Sequence, residues 1–97
     1  MKLNILDSAK DDLIEGYYFY EQQQRGIGYY FLESLYFDIQ DLISTAGIHP
    51  IVFNRFYRKL SNKFPFAIYC QTDQQEINVY AVLDCRKKPT WIRSKLK

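Results

Sequence analysis

At Pro50 the hydrophobic period of this 97-residue chain changes from 3.6 residues to 2, and that change limits the folds open to it. Before Pro50, Phe31, Leu32, Leu35, Tyr36, Ile39, Leu42, Ile43 and Ala46 fall on one face at about 100° per residue, the mark of an amphipathic helix. Gly47 stands where a left-handed C′ glycine belongs, and Pro50 confirms the stop. After Pro50, residues 52–60, 63–71 and 76–84 alternate as three strands. Helices gathered early and strands late predict an α+β domain, with helices on one face of an antiparallel sheet.

The N-terminal elements complete that plan. Residues 2–6, KLNIL, predict a short strand. Asp7 and Ser8 offer N-cap oxygens to a first helix, with Ser8-x-x-Asp11 as a capping-box variant. Ala9, Leu13, Tyr17 and Tyr20 give that helix its apolar face, and Arg25-Gly26-Ile27-Gly28 ends it as a turn. The expected architecture is one domain over residues 1–97: an N-terminal strand, then an antiparallel helical hairpin on a small, mainly antiparallel twisted sheet (order β-α-α-β-β-β). Tyr30 and Phe37 point away from the second helix's apolar face; they either pack under another element, the favoured reading, or stand available to a partner.

Register in the last hairpin follows from the apolar pattern. A turn centred between Asp73 and Gln74 pairs Phe64 with Leu83, Phe66 with Ala81, Ile68 with Val79 and Cys70 with Ile77, all on one apolar face. The opposite face pairs Lys63 with Asp84 and carries Tyr69 and Tyr80. The same register holds Cys70 and Cys85 far apart, so free thiols are expected rather than a disulfide.

Charge is divided along the chain. Residues 1–50 carry three basic and eight acidic side chains, a net of −5; residues 51–97 carry ten basic and three acidic, a net of +7. The positive half predicts an anionic partner. Its candidate binding surface comprises Arg58, Lys59, Tyr69, Tyr80, Arg86, Lys87, Lys88 and Trp91, cations for phosphate or carboxylate beside rings for stacking. Pro89 ends the last strand, and Trp91 is expected to fold back as a lid over the sheet edge. Catalytic constellations are sparse: the one histidine, His49, lies in a loop, and neither a phosphate loop nor metal-ligand spacing occurs. No cofactor and no metal are expected. No apolar run reaches the about 18 residues of a membrane span, and Asp7, Asp11 and Asp12 come too early for a signal peptide, so a cytoplasmic protein is expected.

The segments YYFYEQQQRGIGYYFLESL and NKFPFAIYCQTDQQEINVYAVLDCRKKPTW, in this order and spacing, resemble the RelE/ParE superfamily of toxins from bacterial type II toxin–antitoxin operons. The resemblance spans nearly the whole chain. It implies a small α+β toxin, from a plasmid-stabilisation or addiction module, neutralised by a cognate antitoxin whose acidic or amphipathic segment wraps it. RelE-like members cut mRNA on the ribosome, and ParE-like members inhibit DNA gyrase. RelE-like nucleases place a basic residue in the strand matching FPFAIY, which here offers Phe66 or Ala67. A second basic residue follows the last strand and matches Arg86 or Lys88. The C-terminal tyrosine or histidine is replaced by Trp91-Ile92. With no acid–base partner for cleavage, the resemblance is closer to ParE and implies DNA gyrase as the target. The alternatives are a ribosome-dependent mRNA endonuclease using Arg58, Arg86 and Lys88, and a degenerate toxin that only binds antitoxin.

Overall fold

The computed structural model describes residues 1–97. The elements are β1 (Lys2–Ile5), α1 (Asp7–Gln23), α2 (Ile27–Thr45), a 3-10 turn (Ala46–Ile48), β2 (Ile51–Val52), β3 (Phe56–Leu60), β4 (Phe66–Thr72), β5 (Glu76–Asp84) and α3 (Pro89–Lys95). They build an α+β domain around one five-stranded sheet of order β1-β5-β4-β3-β2. β1 runs parallel to β5, and the other neighbours are antiparallel. α1 and α2 cover one face. There Leu13, Phe31, Leu35, Ile39 and Leu42 meet Phe66, Ile68, Cys70, Ile77, Val79 and Val82. The other face carries a smaller cluster of Phe56, Ala67, Tyr69, Ala81, Leu83 and Leu96.

The start of α1 differs from the sequence expectation. Leu6, not Asp7 or Ser8, is the capping residue, and no side chain caps the helix. The cause lies in the sheet. β1 leaves β5 after the Leu6 N–H donates to the Val79 carbonyl, so the edge of β5 beyond Val79 loses its neighbour. α1 fills that gap with polar side chains one turn apart. The Ser8 hydroxyl donates to the Tyr80 carbonyl at 2.6 Å, and the Asp12 carboxylate accepts from the Val82 N–H at 3.0 Å. The helix start serves the sheet edge, because an unpaired strand edge needs partners.

The hairpin turn behaves as its glycines suggest. Gly26 has φ 93°, the left-handed region glycine enters without penalty. The Glu21 carboxylate accepts from the N–H groups of Gly26 and Gly28, both at 3.0 Å, closing the turn and the first orphan donors of α2. α1 and α2 touch closely at Gly16, where an added Cβ would lie 2.4 Å from the Phe31 ring.

On α2 the buried face is centred on Leu35 and Leu42, and it includes Ser34 and Asp38. Tyr36 and Ile43, expected in the core, are partly exposed at its rim. Asp38 is almost fully buried and accepts from Ser61 Oγ (2.8 Å), Asn62 Nδ2 (2.9 Å) and the Asn62 N–H (3.3 Å), tying α2 to the β3–β4 connection. Gly47 is not a left-handed cap; α2 tightens instead into the 3-10 turn. Phe37, expected to be packed, is 73% exposed.

Three strand expectations are also corrected. The strand expected over 52–60 is folded into a hairpin, because Phe53 and Asn54 take φ 56° and 55° and reverse the chain. The β4–β5 register is not Phe66 with Ala81 but Phe66 with Asp84, Ala67 with Leu83, Ile68 with Val82 and Tyr69 with Ala81. A bulge between Tyr69 and Cys70 on one side and Ala81 and Val79 on the other leaves Tyr80 unpaired, after which Cys70 meets Val79. The extra residue turns Val82 toward the helices and sends Ala81 and Leu83 to the second face. The third correction is α3: Pro89 does not merely end the sheet but occupies the first turn of a helix, a position that suits its missing N–H.

Candidate functional site

The cationic residues singled out in the sequence divide between structural and free roles. Lys59 is buried and bound to Asp41 of α2 at 2.9 Å, so it braces the sheet against the helix and is not part of an open surface. Lys59 in turn holds the Asp41 carboxyl below its ordinary range. Tyr69 is also buried, inside the second cluster, and offers no ring face for stacking. Burial raises its phenol above the usual range. Tyr80 is half-buried, with its ring edge-on to Phe56 at 5.4 Å between centroids.

Arg58 is half-buried on β3 opposite Tyr69, and its Nε is buried without a hydrogen-bond partner. The expected ion pair of Lys63 with Asp84 does not form. Asp84 instead accepts both arms of the Arg86 guanidinium, Nε at 3.0 Å and Nη2 at 2.8 Å, as well as the Arg86 N–H at 2.8 Å. This fork holds the Asp84 carboxyl below, and the Arg86 guanidinium above, their ordinary ranges. Lys63 sits 5.2 Å from the Tyr30 ring.

Beyond Arg86 the cations are free of carboxylates, since Lys59–Asp41 and Arg86–Asp84 are the two ion pairs of the chain. Lys87 and Lys95 both approach the half-buried Trp91, at 5.5 Å and 5.4 Å from its ring centre. Arg93 lies 5.2 Å from the Phe53 ring, and Arg55 lies 5.0 Å from that of Phe56 while reaching the Leu96 carbonyl at 3.5 Å. α3 thus gathers the positive charge at one end of the sheet, with Lys88 exposed at its start. Trp91, Ile92 and Leu96 pack on the second face, so Trp91 is a cover of the sheet.

Next to this end lies a groove of about 480 Å³ between α1, the free edge of β5 and α3. Phe19, Val82 and Trp91 give it apolar walls, and Asp12, Glu15 and Lys87 give it charge. Burial pushes the Asp12 carboxyl up to about 6, against the hydrogen bond from Val82 that favours its ionised form. Asp12 was not a candidate from sequence, because an acidic residue near a helix start reads as a complement to the helix dipole. Only the departure of β1 after Val79 gives it a second partner.

His49 remains in the loop after the 3-10 turn, its Nε2 3.0 Å from Thr45 Oγ1, with burial lowering its affinity for a proton. Cys70 is buried, its thiol pushed up to about 11, and Cys85 is exposed; both are free. No three His, Cys, Asp or Glu side chains are grouped to hold a metal ion, and no helix is long and apolar enough to cross a membrane.

No family model matches the sequence, and no curated protein sequence matches it. Among solved structures, a chain described as the chromosomal ParDE TA (toxin–antitoxin) system from P. aeruginosa superposes with a TM-score of 0.78. The match covers 84% of this chain and 92% of that one at 16% sequence identity. The chain therefore shares its fold with a chain of the ParDE system, the fold that its resemblance to the RelE/ParE superfamily implied.

Proposed function

We propose that this chain is the toxin of a two-component toxin–antitoxin module, that it is ParE-like, acting in the cytoplasm by binding DNA gyrase, and that a cognate antitoxin neutralises it. The fold shared with the ParDE chain is the observation that carries the reading. The state of Arg86 favours binding over RNA cleavage. A guanidinium forked onto Asp84 must give up two charge-assisted bonds before it can hold a scissile phosphate. Tyr69, the ring nearest Arg58 across the β3–β4 ladder, is buried as well. The antitoxin segment that fits the α3 end is acidic or amphipathic, meeting Lys87, Lys88, Arg93 and Lys95 while an apolar side chain enters the groove beside Trp91.

Supercoiling by purified gyrase tests the target. Inhibition at micromolar toxin, reversed by the antitoxin, is the expected result; no inhibition removes gyrase. The second reading is a ribosome-dependent endonuclease. The exposed Lys88 favours it, because it has no carboxylate beside it and remains available to phosphate. New mRNA ends in primer extension after induction would move the reading there. Growth unaffected by expression without antitoxin would leave a degenerate toxin.

A further inference from the structure

We propose that an antitoxin segment filling the groove beside Trp91 drives the Asp12 carboxylate to take a proton from solvent, so that the toxin holds its antitoxin more tightly as pH falls. The inference rests on the proposed function and deepens it, adding a regulator to the same site.

Asp12 stands where the groove meets the sheet. Its Oδ2 accepts from the Val82 N–H at 3.0 Å, while its Oδ1 has no hydrogen-bond partner in the chain. The half-buried side chain lines the groove together with Glu15, Gly16 and Phe19 of α1. In the free chain, water is left to satisfy that second oxygen.

The charges around the carboxyl are unequal. Asp11 and Glu15 of the same helix disfavour its ionised form, and Lys95 of α3 favours it. Asp84 and Arg86 also line the groove but are spent on each other, and Lys87 stands beside Trp91. Burial is the largest influence and already brings the carboxyl to about 6.

An occupant shifts this balance in one direction. An apolar side chain between Phe19 and Trp91 excludes the water that Oδ1 needs, which penalises the charged form. An acidic side chain drawn to Lys87 and Lys95 adds a like charge and cancels the cation that supports the carboxylate. Both kinds belong to the segment that fits the cationic α3 end. A basic side chain would act the opposite way, but Lys87, Lys88, Arg93 and Lys95 oppose its approach. Proton and antitoxin thus favour the same state, and each tightens the other by the same factor.

Calorimetry tests this, with the protein encoded beside this gene as the probe, at pH 7 in phosphate and in Tris. The two buffers release protons with different heats, so the comparison counts protons taken up. A fraction of a proton should be gained per complex, and binding should be roughly fivefold or more tighter at pH 6 than at pH 8. Asp12→Asn, with its fold checked by circular dichroism, should lose the uptake and flatten the pH dependence. By carbon NMR, the Asp12 carboxyl should titrate at higher pH in the complex than in the free chain. Binding without proton uptake, uptake that survives Asp12→Asn, or a titration unmoved or lowered overturns the inference and leaves the antitoxin reading standing. Absence of binding at every pH overturns the antitoxin reading, and the inference with it.

Discussion

The Asp12 carboxylate holds the Val82 N–H at 3.0 Å, and through that bond α1 takes the place of a missing strand at the edge of β5. The bond joins a helix turn to the strand just past the bulge, where the chain changes which face it shows the core. It is made at a cost. Partial burial of the carboxyl against α1 and β5 raises its pKa from 3.8 to about 6.

That shift predicts how stability depends on pH. A carboxyl whose folded pKa lies above its unfolded one favours the folded state when protonated. Its contribution is complete below about pH 3.8 and is lost as pH rises through about 6. Asp12→Asn keeps an oxygen for Val82 and removes the charge. At pH 8 it should stabilise the protein by about 1 kcal/mol; the groove is open to solvent, so the full value of the shift, about 3 kcal/mol, is not expected. Near pH 3.5 the two proteins should unfold at similar urea concentrations. Parallel pH curves for the two would rule this account out.

Phe53 gives a second prediction. Its φ of 56° is in the left-handed region, where a residue with a Cβ costs roughly 1–2 kcal/mol relative to its usual conformation. Asparagine tolerates that region better. Phe53→Asn and Phe53→Ala both remove the ring beside Arg93, so their difference isolates the backbone. Phe53→Asn should be the more stable by about 0.5–1 kcal/mol in urea unfolding. Equal stabilities would show that the turn is not strained at this residue.

The sequence revealed the elements that a simple period defines and missed those that depend on neighbours. Leu35, Ile39 and Leu42 were legible because a helix repeats them every turn. Ile77 and Val79 were legible because a strand alternates. The bulge was not: Ala81, Val82 and Leu83 are all apolar, so the pattern looks the same whichever of them faces the helices. Pro89 read as a stop because it cannot extend a strand, although it opens helices equally well, and α3 is too short to show a period. At the site, the positive charge after β5 was plain from Lys87 and Lys88. The burial of Lys59 was not, because its partner Asp41 lies 18 residues earlier and meets it only once α2 packs on β3.

Asp38 supplies the third prediction. It is buried and accepts bonds from the half-buried Ser61 and the exposed Asn62. Asp38→Ala should destabilise the fold by about 2–4 kcal/mol, since three charge-assisted bonds that tie α2 to the β3–β4 connection are lost. Ser61→Ala removes one of these bonds and should cost about 1 kcal/mol. Chemical denaturation of both variants measures the ratio. A loss from Asp38→Ala no larger than that from Ser61→Ala would mean water replaces the carboxylate readily.

The last prediction separates Arg86 from its neighbours in the binding of the proposed antitoxin. Arg86 is forked onto Asp84, so part of its charge is cancelled before a partner arrives, whereas Lys87 and Lys88 have no carboxylate beside them. Free surface cations bind acidic segments with a strength that falls as salt screens them. Lys87→Ala with Lys88→Ala should therefore weaken antitoxin binding several-fold at low salt and flatten its salt dependence. Arg86→Ala should leave the salt dependence nearer to wild type, because removing it also frees the Asp84 carboxylate and the net change at the partner's surface is smaller. Calorimetry of the antitoxin complex at two or more ionic strengths makes the comparison. A steeper loss of salt dependence from Arg86→Ala than from the lysine pair would show that Arg86 leaves Asp84 in the complex, and the fork would then be a latch that the partner opens.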